Sequence, residues 1–277
     1  MKLAIQTYTM GRKQKELDLE RMCAFTRETA GLDAMDWCGL HGSDPESVRK
    51  LTDKFGIKNF CYTAKCDFDL PASERGRALA QFREMLGVAK TLGAGMVMLP
   101  VPGKKDRPRE ESFRAYAAGL AEAMPLAAEA GITVTIEHFP AASSPFISSD
   151  DMNRIAEAVP GVKVCFDSGN VSTAGENAGD AFRKNAPHVA YAHFKDFHFS
   201  SDEQPGWQRN LDGRWRQPAL VGDGDTDNRA ALQAMKECGF KGCINIEYEG
   251  NEMAPPEAVA EGVRRVHAWM DELGIAR

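Results

Sequence analysis

Four side chains in this chain of 277 residues combine the right chemical types with a suggestive placement: Glu137, Asp167, His193 and Glu247. Each closes a short apolar, β-rich run (TVTIEHF, VKVCFDSGN, VAYAHFKDF and INIEYEG), where an apolar strand ordinarily ends in a turn residue. Three carboxylates and one imidazole form a hard, mixed oxygen and nitrogen donor set. Such a set suits Mn²⁺, Mg²⁺ or Co²⁺ and admits Zn²⁺. Three carboxylates over-neutralise one divalent ion, which favours a neutral polyol or carbonyl substrate over a bare polyanion. Taken singly, each residue has a plainer reading: a loop-facing charge, a turn aspartate before Ser-Gly, a hydrogen-bonded core histidine. The joint reading requires the strand ends to share one face of one sheet.

The rest of the chain predicts such a sheet. Eight strands are expected at about 2–8, 34–38, 58–64, 95–101, 132–138, 162–167, 189–195 and 242–248, as short apolar runs typical of parallel strands covered on both faces. Helical segments lie between them. Val259, Val263, Val266, Met270 and Leu273 recur at helical spacing after Pro255-Pro256 and before Gly274. Ser43-Asp44-Pro45-Glu46 reads as a cap, an early proline and a capping-box glutamate. Gly31, Gly93 and Gly131 punctuate helix-to-strand junctions, and Pro125 predicts a kink or break in the helix covering 109–130. Strict alternation over this length predicts an α/β fold, a single-domain (β/α)8 TIM barrel spanning 1–277, with the active site at the strand C-termini.

Period-two alternation then extends the site. Lys195 shares a strand face with His193, and Glu249 shares one with Glu247, so Lys195 is placed to reach a substrate oxygen. Asp196 points away and can orient a neighbour, while His138 faces outward. Asn170 follows Asp167 into the loop as a substrate-binding candidate, and Tyr8, Trp37 and Phe139 are candidate apolar walls for a sugar face. Lys104, Lys105, Arg107 and Arg109, in the loop after the fourth strand, are candidate partners for a substrate carboxylate or phosphate. A long irregular stretch at 198–227 holds Trp207, Trp215, Arg209, Arg214 and Arg216. Its 198–221 part reads as a lid or subunit contact anchored by Trp207 and Trp215, with Arg216 as a substrate-binding candidate.

Bulk properties narrow the function. The net charge of −6 argues against a nucleic-acid partner. No apolar run is long enough to span a bilayer, and MKLAIQTYTMG is too short and too polar for a signal peptide. Seven cysteines without a C-x-x-C pair read as reduced, mostly buried thiols. The expectation is a soluble cytoplasmic protein without a membrane partner, with a homo-oligomer allowed.

These residues resemble the xylose isomerase-like TIM-barrel superfamily, which includes sugar phosphate isomerases and epimerases, ketose 3-epimerases, hydroxypyruvate isomerases, inosose dehydratases and metal-dependent AP endonucleases. The resemblance rests on Glu137, Asp167-Ser-Gly-Asn170, His193-Phe-Lys195-Asp196, Gly222-Asp-Gly224 followed by Asp227, and Glu247-Tyr-Glu249-Gly. It implies one Mn²⁺-like ion on Glu137, Asp167, His193 and Glu247, with Glu137 and Glu247 also acting as acid/base catalysts. The implied activity is proton transfer through an enediolate in a sugar or keto-acid isomerase or epimerase. A lyase of the inosose, 3-dehydroshikimate or 3-keto-glycoside type is the alternative, and a non-catalytic sugar-binding subunit or an AP endonuclease ranks below both. Asn170 stands where ketose 3-epimerases carry a histidine, a departure from that branch.

Overall fold

The computed structural model describes residues 1–12 and 18–277. Eight parallel strands close into a barrel: β1 (Lys2–Gln6), β2 (Ala34–Cys38), β3 (Lys58–Thr63), β4 (Met96–Leu99), β5 (Thr133–Glu137), β6 (Lys163–Asp167), β7 (Val189–Phe194) and β11 (Cys243–Ile246). Each sequence-predicted strand coincides with one of these to within two residues at either end. β11 returns to pair with β1, placing Ile5 beside Ile246 and closing the sheet. Helices fill the connections: α1 (Thr7–Gly11), α2 (Leu19–Ala24), α3 (Pro45–Phe55), α4 (Arg75–Leu92), α5 (Arg109–Ala130), α6 (Ser149–Ala158), α7 (Ser168–Ser172), α8 (Ala178–Asn185), α9 (Asn228–Glu237) and α10 (Pro255–Glu272).

Strand alternation sorts the side chains into two layers. Outward-facing residues such as Ile5, Met35, Trp37, Val97, Val134, Val164 and Ile244 pack under the helices in one continuous apolar layer. Inward-facing Ala4, Ala34, Cys61, Met96, Met98, Cys165, Tyr191 and Cys243 fill the barrel below its mouth. The last helix lays Val259, Val263, Val266 and Met270 against the barrel, as its spacing predicts. None of the seven cysteines is in a disulfide, and five are buried.

Three local expectations need correction. The cap of α3 is Asp44, which accepts the Ser47 N–H; Pro45 occupies the first turn, and the capping box with Glu46 does not form. Pro125 does not break α5, which continues as one helix through Ala130. The 198–227 stretch is largely ordered: β8 (Asp196–Ser200), β9 (Gln208–Arg209) and β10 (Trp215–Ala219) form a small antiparallel sheet at the barrel mouth. Its pairing lays Arg216 beside Phe199 and Ala219 beside Asp196. Among the described residues no helix is long and apolar enough to cross a membrane.

Candidate metal centre

The register of neighbouring strands assembles the site. β6 and β7 place Asp167 directly beside His193, while β5 ends at Glu137 one strand away. Glu247 follows the end of β11, which pairs with β7. Ligand atoms of Glu137, Asp167, His193 and Glu247 all lie within 4.8 Å of one another. His193 Nδ1 is 2.8 Å from Glu137 Oε1, 3.3 Å from Glu247 Oε2 and 3.9 Å from Asp167 Oδ2. All four residues are buried.

The remaining polar atoms show what these groups lack. Asp167 Oδ1 accepts the Asn170 N–H at 2.8 Å and so caps the short helix α7 (Ser168–Ser172), but Asp167 Oδ2 has no hydrogen-bond partner. Glu247 Oε2 and His193 Nδ1 are also buried without hydrogen bonds. A native interior rarely leaves three such atoms pointing at one another. Hard donors converging at this spacing fit one divalent cation, so the four residues form a possible metal-binding site. Cys165 lies close enough to join Glu137 and His193 in a second set. Burial pushes its thiol up to about 12.

Lys195 supplies the balancing charge. Its Nζ lies 3.1 Å from Glu247 Oε1 and 3.4 Å from each of Asp167 Oδ2, Glu249 Oε1 and Asn170 Oδ1. Burial alone would drive its proton off, but the surrounding carboxylates hold the ammonium well above the ordinary range. Burial raises Asp167 to about 7, against the pull of Lys195 and with the push of Glu247 and Glu137. Burial also acts on Glu247, yet contact with Lys195 and His193 overrides it and holds this carboxyl down at about 2. Of the two, Asp167 therefore takes up a proton first.

Loop chemistry fixes these groups. Gly169 sits where any Cβ would fall 2.9 Å from the Lys195 stem and from Phe197, so a residue without one is required there. Ser168 Oγ donates to Asn228 Oδ1, and Asn228 Nδ2 donates to the Lys195 carbonyl. Asp196 turns away from the site, as alternation predicts, and accepts N–H groups from Gly222, Thr226 and Phe197. It thereby pins the Gly222-Asp-Gly224 turn.

The other candidates divide. Asn170 is buried beside Lys195, with its Nδ2 donating to the His138 carbonyl. Arg216 leans over Phe197 with its guanidinium 5.2 Å from the ring centroid, and its Nη1 and Nη2 donate to Asn210 and Gln208. Its Nε is buried without a partner. Burial lowers its pKa while Glu249 and Asp167 pull it up, which marks it as near the site. Tyr8 is exposed at the mouth and donates to Glu249 Oε1 at 3.3 Å. Trp37 does not belong to this group. It faces the helix layer, fully buried, with Nε1 donating to Asn59 Oδ1 at 2.7 Å, so it cannot form a wall of the mouth. Three of the four basic residues after β4 are paired: Lys104 with Asp67, Arg107 with Asp69, and Arg109 with Asp151 and the Ser144 carbonyl. His138 packs outward against Phe166, and burial lowers it to about 4.

Sequence reasoning missed Asp36. It is fully buried inside the barrel and accepts hydrogen bonds from Gln6, Thr63 and Tyr191. Its Oδ2 lies 3.8 Å from His193 Nε2. The available signal was a charge in the middle of the apolar strand AMDWC, on the parity opposite to Met35 and Trp37.

A comparison with curated protein sequences finds no match. Among solved structures, an L-ribulose 3-epimerase superposes with a TM-score of 0.80 at 16% identity, over 99% of this chain and 95% of the epimerase. The IOLI protein with a binding zinc atom gives 0.75 at 19% identity, over 99% and 98% of the two chains. A probable 3-DHS dehydratase, AsbF from Bacillus anthracis, gives 0.77 at 14% identity, over 96% and 99%. The chain also spans 43% of a xylose isomerase-like TIM barrel/4-hydroxyphenylpyruvate dioxygenase fusion protein, at a TM-score of 0.79 and 16% identity. The family model described as "Xylose isomerase-like TIM barrel" matches residues 27–273, and the chain belongs to that family.

Proposed function

We propose that this protein is a divalent-metal-dependent isomerase or epimerase of a small sugar or keto-acid, moving a proton between carbon and solvent-shielded carboxylate through an enediolate. The observation that carries this reading is the convergence of Glu137, Asp167, His193 and Glu247 around buried atoms that make no hydrogen bond, with a charged Lys195 beside them. Those four residues would hold the ion, with Mn²⁺ the first choice for so hard a set and Zn²⁺ the ion of one structural neighbour. When bound, the ion supplies Lewis acidity toward a carbonyl and its neighbouring hydroxyl oxygen.

The protein's own groups do the rest. Glu137 and Glu247 stand on strands separated by β6 and β7, so they approach a substrate at the mouth from different sides. One carboxylate removes the proton from the carbon beside the carbonyl, and the other returns it. Lys195 Nζ donates toward the oxygen on which negative charge develops. Arg216 and Tyr8, at the rim, contact the outer hydroxyls, while Asn170 holds Lys195 in place. Burial of the whole set keeps bulk water from protonating the intermediate indiscriminately.

The test is solvent deuterium exchange into candidate ketoses, inososes, hydroxypyruvate and keto-glycosides in the presence of Mn²⁺. Wild-type protein should exchange a carbon-bound proton of its substrate, and Glu137→Gln and Glu247→Gln should each lose turnover by at least about 10²-fold. Wild-type rates of exchange in both variants would refute the acid/base assignment. The same proton abstraction can begin a β-elimination, the reaction type suggested by the dehydratase neighbour. Product mass separates the two: unchanged for an isomerase, reduced by one water for a lyase.

A further inference from the structure

We infer that Asp36 is a positioning residue for the candidate metal centre: it fixes the His193 ring so that Nδ1 faces the ion and Nε2 keeps its proton. This inference rests on the metal reading above and extends it to a residue outside the ligand set.

The geometry around His193 is two-sided. Nδ1 faces the carboxylates of Glu137, Glu247 and Asp167 at 2.8, 3.3 and 3.9 Å. Nε2 faces the opposite way, with Asp36 Oδ2 at 3.8 Å. A neutral imidazole has one N–H and one lone pair, so a nitrogen that ligates an ion leaves the other to donate. The carboxylate on the Nε2 side makes that donation favourable and selects the tautomer.

Asp36 is itself held for this task. Gln6 Nε2 donates to its Oδ2 at 3.1 Å, Tyr191 OH donates to the same oxygen at 3.0 Å, and Thr63 Oγ1 lies 2.9 Å from Oδ1. These partners come from β1, β7 and β3, so barrel closure locks the carboxylate from three directions. The Tyr191 ring also packs edge-on against the His193 imidazole, at 4.8 Å between centroids, and restricts its rotation. A fully buried carboxylate whose three donors are all neutral is costly unless a fourth, polar group needs it. His193 Nε2 is buried and has no hydrogen-bond partner, and it is directed at Asp36. A shift of well under an ångström would complete the bond.

The test uses zinc as a diamagnetic probe on the full chain. ¹⁵N-histidine spectra of the zinc-loaded wild type should show His193 with a protonated, slowly exchanging Nε2 and a metal-bound Nδ1. Asp36→Asn should remain folded by circular dichroism, bind zinc ~10–100-fold more weakly and exchange the Nε2 proton faster. Tyr191→Phe, which keeps the ring and removes one donor to Asp36, should shift both readouts in the same direction by less. A wild-type spectrum with the proton on Nδ1 overturns the inference whether or not Asp36→Asn folds. So does a folded Asp36→Asn with wild-type zinc affinity and an unchanged Nε2 proton. Wild-type protein that binds no zinc at all would instead refute the metal centre, and this inference with it.

Discussion

Lys195 Nζ and Glu247 Oε1 form a buried ion pair at 3.1 Å, with both side chains at most 5% exposed. The pair lets three carboxylates crowd one imidazole, because the ammonium offsets charge that solvent cannot reach. Replacing Lys195 with Met removes that offset and the proposed donor to the developing oxyanion. Turnover should fall about 10²–10³-fold. The ion-free protein should lose about 3–5 kcal/mol of stability, the usual cost of breaking a buried pair from one side. Urea titrations with and without Mn²⁺ check this, since added ion should restore part of the loss. Unchanged stability in the ion-free variant would mean the pair carries little.

Ion affinity should rise with pH. Asp167 is raised to about 7 by burial, with Lys195 opposing; burial lowers His193, but its contacts with Asp36 and Glu137 raise it well above the ordinary imidazole value. Both must give up a proton before they can ligate, so binding releases protons and acid competes with the ion. Below about pH 7, Mn²⁺ affinity should gain at least about tenfold per pH unit. Equilibrium dialysis across this range measures the slope. A flat or falling profile contradicts the assignment of Asp167 as a ligand.

Gly224 has no room for a side chain. An added Cβ would fall 2.3 Å from Asp196 Oδ1 and 2.6 Å from the Phe197 carbonyl. Gly224→Ala must therefore push the turn off Asp196, whose carboxylate holds Gly222 and Thr226. A loss of about 1–3 kcal/mol is expected from overpacking, together with a higher KM, because the turn is held by Asp196, the residue next to Lys195. Thermal unfolding and steady-state kinetics on the same preparation test both parts.

Trp37 should behave as a core residue. Trp37→Phe deletes the hydrogen bond to Asn59 and leaves Asn59 Oδ1 without that donor, costing about 1–3 kcal/mol. KM for any substrate should stay unchanged. A selective rise in KM at unchanged stability would return Trp37 to the substrate-binding group.

The barrel was legible because parallel strands covered on both faces leave uninterrupted apolar runs, and the four candidate ligands stood out as charges ending those runs. The parity of Lys195 and Asp196 followed from the same alternation. What stayed hidden depends on closure and on long-range pairing. Asp36 meets Gln6, Thr63 and Tyr191 only because three other strands curve around it. Trp37 is adjacent to Asp36 and so faces the helices, a consequence of parity that its position near a strand end concealed. The register of β2 against β3 also shifts between Met35 and Asp36, which local patterning does not reveal. The sheet carrying Arg216 is hidden in the sequence because Pro205-Gly206 and Asp212-Gly213 break the alternation of three short strands. The ion pairs of Lys104, Arg107 and Arg109 are hidden from a local reading because their acidic partners, Asp67, Asp69 and Asp151, lie far away in sequence.

Crystals soaked in Mn²⁺ and measured at the manganese absorption edge test the central claim most directly. The account predicts one anomalous peak per chain at the barrel mouth, about 2.0–2.3 Å from His193 Nδ1 and from a carboxylate oxygen of each of Glu137, Asp167 and Glu247. A strong peak elsewhere, or none at a concentration that saturates binding in solution, would contradict it.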